Sequence, residues 1–178
     1  VFSNAKPFGK PFTNTHIISH IISNIFNYSY NDTKHNAIKH SHAISNTNAD
    51  AITHNEPFCS AFLGHAEGCH APGIRDHATA LQVCHHLLLS HGQAIPLIKR
   101  NVADAKVGIT LSLHPIAPAT HSAADVAAAQ RHDGTRNRWF LDPLYGRGYP
   151  ADVLQMLGPL APKVQAGDLE AIATKADF

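Results

Sequence analysis

Methionine, tryptophan and cysteine are scarce in this chain, and charge of either sign is not in excess: 14 Lys and Arg face 13 Asp and Glu. The three cysteines, Cys59, Cys69 and Cys84, form an odd, sparse set that excludes a disulfide framework and fits a reducing compartment. A cytoplasmic location is the expectation. Near-neutral charge without a Lys/Arg run removes the electrostatic footprint that phosphate backbones and anionic lipids require, so neither nucleic acid nor membrane is expected as a partner. Long apolar runs are lacking too. The best candidate, HIISHIISNIF, is broken by His20, Ser23 and Asn24 and falls far short of the roughly 20 residues a bilayer span needs. The only methionine is Met156, so Val1 is not an unprocessed start and the chain reads as a fragment. With 178 residues it can build one domain but not a complete eight-stranded α/β barrel.

What is present divides into two compositions. Residues 1–50 are rich in Asn, His, Ser, Thr and Ile and contain no Leu; from Ala51 onward Ala, Leu, Gly and Pro take over. The break reads either as a frame artefact or as a low-complexity extension. Ile18, Ile21, Ile22 and Ile25 have helical spacing, but the surrounding Asn and Ser favour turns, so residues 1–50 are expected to be mostly irregular. The N-x-S/T patterns at Asn27 and Asn31 carry little information.

The second block, residues 51–178, is organised. ADAITHN reads as a short strand, and PGIRDHATALQVCHHLLLSHGQAIPLIKR as a helix with Leu81, Cys84, Leu88 and Ile95 near one face. Gly92 and Pro96 are expected to weaken the end of that helix. KVGITLSLHP alternates in the manner of a strand and is closed by Pro115, which completes a β-α-β unit with parallel strands. A long helix follows from Ser122, with Asp125 as its capping partner, through AADVAAAQRHDGTRNRWF. LDPLYGRGYP reads as a turn-rich corner, PADVLQML as a shorter helix, and GDLEAIAT as another capped by Asp168; a further strand is expected to begin at Ala176.

One acid stands at the end of the first strand, in Asn55-Glu56-Pro57. Parallel α/β folds gather chemistry where strands end, because the strand fixes the aim and the loop is free to vary. A carboxylate there can donate a proton to a leaving oxygen if apolar walls or a second acid raise its pKa. Phe58 can supply such a wall, Asn55 both a donor and an acceptor for a sugar hydroxyl, and Pro57 keeps Glu56 out of the helical conformation. A tripeptide alone decides nothing, since a loop glutamate is usually only solvated.

The longer text is informative. NEPFCSAFLGH, GCHAPGIRD, HHLLLSHGQAI, AKVGITLSLHPIAPAT, DGTRNRWFLDPLYGRGYPADVL and the final ADF occur in the order and spacing of the family 1 glycoside hydrolases, the β-glucosidase family. From Ile52 to Phe178 the chain resembles the middle of that family. The resemblance implies an α/β fold, part of a (β/α)8 TIM barrel contributing two parallel strands with their helices, that acts on β-glucosides or oligosaccharides without a cofactor. It implies Glu56 as the general acid/base of a retaining hydrolysis and Asn55 as the ligand of the sugar 2-hydroxyl. His70 and Trp139 fall in blocks that are framework in the family. Phe58 stands where tryptophan is usual, Ser112 where many members have asparagine, and Pro96 in a helix usually free of proline.

The nucleophile's Thr-Glu-Asn-Gly segment does not occur, and the other glutamates, Glu67 and Glu170, lack its context. A retaining reaction needs two carboxyl groups about 5 to 5.5 Å apart. This chain by itself is therefore expected to be inactive. Fifteen histidines raise the alternative of a metal-binding protein, through His16 with His20, His35 with His40 and His42, or His85 with His86 and His91. These are pairs without a closing set, and His85 and His86 lie about 100° apart on a helix. Two further alternatives are a non-catalytic remnant and a Cys59 nucleophile paired with His54 or His65, the latter without an orienting third group.

Overall fold

The computed structural model describes residues 50–178. The spaced isoleucines, both N-x-S/T patterns and the histidines from His16 to His42 lie outside the described residues. Strand β1, Asp50–Asn55, leads through a wide-turn helical segment, Cys59–Leu63, to helix α1, His77–Asn101. Strand β2, Lys106–Thr110, pairs parallel with β1, with Asp50 opposite Lys106 and Asn55 opposite Thr110. The expected β-α-β unit is present.

The carboxylate of Asp76 starts α1 by accepting the Thr79 amide at 2.8 Å, and Lys99 and Arg100 complement the helix dipole in its last turn. Its anticipated face is buried: Leu81, Cys84, Leu88 and Ile95 are at most 5% exposed. Pro96 does not end the helix. It lies on the solvent side, so one hydrogen bond is lost where packing of the opposite face continues to Ile95 and Ile98. Gly92 has a packing reason, because a Cβ there would stand 1.8 Å from the Ala171 carbonyl oxygen.

β2 stops at Thr110, short of Pro115, because the segment beyond it turns its polar groups to a neighbouring helical turn instead of a ladder. Helix α2, Ala123–Asp133, begins as expected with the Ser122 hydroxyl accepting the Asp125 amide at 3.1 Å. The long helix then changes pitch: a wide-turn segment, Gly134–Arg138, separates α2 from α3, Trp139–Leu144. The first part of LDPLYGRGYP is thus helical despite Pro143, and the corner is confined to the residues from Tyr145 to Pro150.

Helix α4, Ala151–Leu157, is followed by a 3-10 turn, Gly158–Leu160, and by α5, Asp168–Ile172. Asp168 is not the cap of α5. Gly167, with φ of 89°, holds that place, and the Asp168 carboxylate instead accepts the Gln165 amide at 2.7 Å and a contact from His85. No strand forms at Ala176; Asp177 attaches to β2 through its amide on the Val107 carbonyl at 2.8 Å and its carboxylate on the Val107 amide at 2.7 Å. One apolar cluster joins α1 to Trp139, Phe140, Tyr149, Val153 and Ile172, and a second joins Ile95 to Ala105 and Val107. Among the described residues no helix is long and apolar enough to cross a membrane.

Candidate active site

Because β1 and β2 run parallel, their C-terminal ends share one rim, and Glu56 stands on it one residue beyond β1. Its amide donates to the Thr110 carbonyl at 2.8 Å, which ties the corner to the end of β2. Glu56 has φ of 46°, a left-handed conformation that costs a non-glycine residue of order 1–3 kcal/mol. Pro57 does keep it from the right-handed helical region, and the corner is sharper than the extended turn that a following proline usually favours. Strain of this kind persists where surrounding contacts fix it. Here Pro57 is buried and the Cys59 amide closes the turn on the Glu56 carbonyl at 2.9 Å.

The half-buried Glu56 carboxylate accepts the Cys59 thiol at 3.2 Å. Burial pushes the Cys59 thiol up, the hydrogen bond and charge of Glu56 push it further, and the nearby Arg136 charge opposes them. The thiol therefore keeps its proton and acts as donor. Phe58 stacks on Phe62 with centroids 5.0 Å apart, and its ring lies under the Arg136 guanidinium, 3.5 Å from the centroid. One Arg136 nitrogen reaches the Ser112 hydroxyl and the His114 ring, both at 3.1 Å, while its Nε is buried without a hydrogen-bond partner. Asn137 fixes the same segment, accepting the His114 amide at 3.0 Å and donating to the His114 carbonyl at 2.7 Å.

The rim thus gathers Asn55, Glu56, Phe58 and Cys59 from the first strand end, Ser112 and His114 from the second, and Arg136 from the wide helical turn. Asn55 is exposed. Glu67 is elsewhere, beside the Cys69 thiol, and Glu170 belongs to α5. His70 is exposed in the turn before α1, whereas Trp139 is 1% exposed and packs on Tyr149 with centroids 4.4 Å apart. Trp139 is thus part of the core, while His70 contributes backbone contacts, its carbonyl accepting the Gly73 amide at 2.8 Å. The Cys59 thiol meets neither candidate histidine, since His54 contacts Ser90 and His65 the Ser60 carbonyl. Among the described residues no group of three or more His, Cys, Asp or Glu could hold a metal ion.

Sequence reasoning missed Arg136, His114 and the pairing of the Cys59 thiol with Glu56. Cys59 was visible as the residue one helical turn after Glu56. Arg136 carried no local signal, because its partners are distant in the chain and only the pitch change at Gly134–Arg138 brings it to the rim.

Comparison with known proteins covers this same region. Residues 29–178 match the family model Glycosyl hydrolase family 1, a match that begins ahead of Ile52. Beta-glucosidase A of Acetivibrio thermocellus is 40% identical over 129 residues, which is 71% of this chain and 29% of that protein. A beta-glucosidase of Agrobacterium sp. is 38% identical over 130 residues, 72% of this chain and 28% of the relative. Among solved structures, a beta-glucosidase from Exiguobacterium marinum superposes with a TM-score of 0.66 at 45% identity, covering 71% of this chain and 30% of the other. The family 1 b-glucosidase from Thermotoga maritima gives 0.66 at 35% identity, covering 71% and 29%. The chain spans less than a third of the length of these relatives.

Proposed function

The chain belongs to glycosyl hydrolase family 1, and from that membership we propose that it carries the general acid/base half of a retaining β-glucosidase site, with Glu56 as the acid/base and Asn55 as a sugar ligand. The observation that carries the reading is the place of Glu56, one residue past a parallel strand on the rim it shares with Ser112. In its acid form Glu56 protonates the glycosidic oxygen as the bond to the anomeric carbon breaks; as carboxylate it then takes a proton from the water that attacks the glycosyl-enzyme. Exposed at the strand end, Asn55 offers an amide to the 2-hydroxyl, a contact that tightens as the ring flattens toward the oxocarbenium-like transition state. The described strands would be neighbouring staves of a (β/α)8 barrel, acting on β-glucosides or oligosaccharides. Three unpaired thiols suit a reducing, cytoplasmic setting.

Retention also requires an attacking carboxylate about 5 to 5.5 Å from the acid. Neither Glu67 nor Glu170 has a contact at the Glu56 corner, so the chain alone is proposed to be inert. Two experiments test this. The purified chain and its Glu56→Gln variant should release equally little product from an aryl β-glucoside; Glu56-dependent turnover would overturn the inertness. Residues 52–178 grafted into the Acetivibrio relative in place of its matching segment should restore hydrolysis. There Glu56→Gln should lower the rate about 10²- to 10⁴-fold for an alkyl glucoside and far less for a dinitrophenyl glucoside, whose leaving group needs no proton. Equal rates in the graft with and without that substitution would remove Glu56 from the mechanism.

A further inference from the structure

Two histidine–hydroxyl pairs join β1 to α1, and each element supplies one ring and one hydroxyl. The Thr53 hydroxyl lies 3.1 Å from the Gly108 carbonyl and 2.6 Å from His91 Nδ1. A hydroxyl has one proton, and the carbonyl can only accept, so Thr53 donates to Gly108 and His91 Nδ1 donates to Thr53. The second pair repeats the logic: Ser90 donates to the Leu87 carbonyl at 2.9 Å, so His54 Nε2, at 2.7 Å, donates to Ser90. Thr53 and His54 are consecutive in a strand and would ordinarily point to opposite faces. The pairing irregularity between Ile52 and Asn55 falls on these two residues and re-aims them. Thr53, Ser90 and His91 are buried, and His54 is half-buried.

We propose that His54 and His91 are positioning residues for Glu56: uncharged, they clamp β1 to α1 and hold the Asn55–Glu56 corner on the rim, whereas a second ring proton keeps the hydrogen bonds but places a charge in a buried seam, so acid favours the opened seam and dismantles the corner first. Calling the corner catalytic rests on the proposed function; the clamp stands without it. Burial holds both rings at about 4, with the His91 charge a second cause for His54. The surroundings offer no rescue. On β1, Asp50 lies at the opposite end and Glu56 is engaged by Cys59. On α1, His85 is bound to Asp168, His86 to Gln82, and Lys99 to Asp177. Lys106 begins β2, and Lys175 and Asp177 line a cavity together with His91. None of these carboxylates is a hydrogen-bond partner of His54 or His91. Folded values below the ordinary 6.5 mean that the clamp's stability is complete above 6.5 and is lost as pH falls through about 4.

Native-state hydrogen exchange on the whole chain tests the proposal, read at the Glu56 amide that donates to Thr110. From pH 6.5 to 5.5 its protection factor should fall about fivefold for each ring that must charge, roughly 30-fold for both, while that of the Leu154 amide in α4 holds. His54→Gln with His91→Asn keeps each donor amide but cannot titrate, and should make the Glu56 protection flat with pH. Flat protection in the wild type, or an equal loss in the double variant, would overturn the clamp. Should the double variant not fold, ring titrations in the wild type decide. Both near 4 support the proposal; either ring titrating at 6.5 with Glu56 still protected overturns it. Equal glucoside hydrolysis by the graft with and without Glu56→Gln, beside a pH-dependent Glu56 amide in the chain, would reject the enzymatic reading and leave the clamp intact.

Discussion

Helix α1 and the junction between α2 and α4 are held by opposite means. α1 touches β1, the corner at Tyr149 and α5 through imidazoles, those of His85 and His91 buried and that of His54 half-buried: His91 to Thr53, His54 to Ser90, and His85 to both Tyr149 at 3.0 Å and Asp168 at 3.0 Å. At the α2–α4 junction Arg138 spans Asp133 at 3.1 Å and Asp152 at 2.7 Å, with both carboxylates 39% exposed. A buried polar contact adds little net free energy when made and costs much when half of it is removed. An exposed ion pair is weak either way, because water and salt replace it. The α1 side should therefore tolerate few changes and the junction many. The side with costly contacts is also the one that carries Glu56.

The sharpest test of that asymmetry is steric. Gly92 lets α5 approach α1 until the Ala171 oxygen occupies the space of a Cβ. Gly92→Ala would ordinarily favour a helix interior by about 1 kcal/mol. Here the backbone of α5 must move, and with it the Asp168 contact to His85, so a net loss of about 3 kcal/mol is expected from denaturant unfolding. An unchanged or raised midpoint would show that α5 is not packed as described.

How far this was legible follows from the range of the interactions. The β-α-β unit, the buried stripe of α1 and the Ser122 cap come from contacts within a few residues or from periodicity, and the sequence displays both. Pro96 misleads because its cost is local, whereas burial of Leu88 and Ile95 extends along the whole helix. Asp168 misleads because Gly167 beside it takes the cap position and a His85 ring far away in sequence claims its carboxylate. The acid corner was legible as a motif, but not the left-handed Glu56 or the guanidinium over Phe58; both depend on segments that meet only after folding.

The next effect in size is electrostatic and buried. Asp168→Ala would leave the His85 Nε2 proton without its acceptor beside a ring that is itself 0% exposed. Burial, and then the neighbouring Cys84 and Asp168, push the Tyr149 hydroxyl up, so it stays protonated, and it sits at Nδ1, on the other side of the ring from the proton that loses its carboxylate. A loss of about 2 kcal/mol is expected, and Asp168→Asn, whose oxygen still accepts, should recover most of it. Equal losses in the two variants would mean that the charge of Asp168, not its acceptor, is what α1 needs.

The smallest effect belongs to the junction. Asp152→Ala removes both hydrogen bonds from Arg138 to that carboxylate, yet Asp133 remains and the site is open to water, so about 0.2–1 kcal/mol is expected. Salt should shrink the difference further, while the Asp168 effect should barely respond. The two sides also part with pH. The Arg138 hydrogen bond and charge hold Asp152 below the ordinary carboxylate value of 3.8, so its contribution is present above that value and lost only as pH falls below it. The contribution of His54 and His91 is already being lost between 6.5 and 4. Wild type and Asp152→Ala should therefore lose stability in parallel down to about pH 4 and converge only below it. A gap that closes nearer pH 6 would mean that the junction and the α1 seam open as one unit, and the contrast between them would fail.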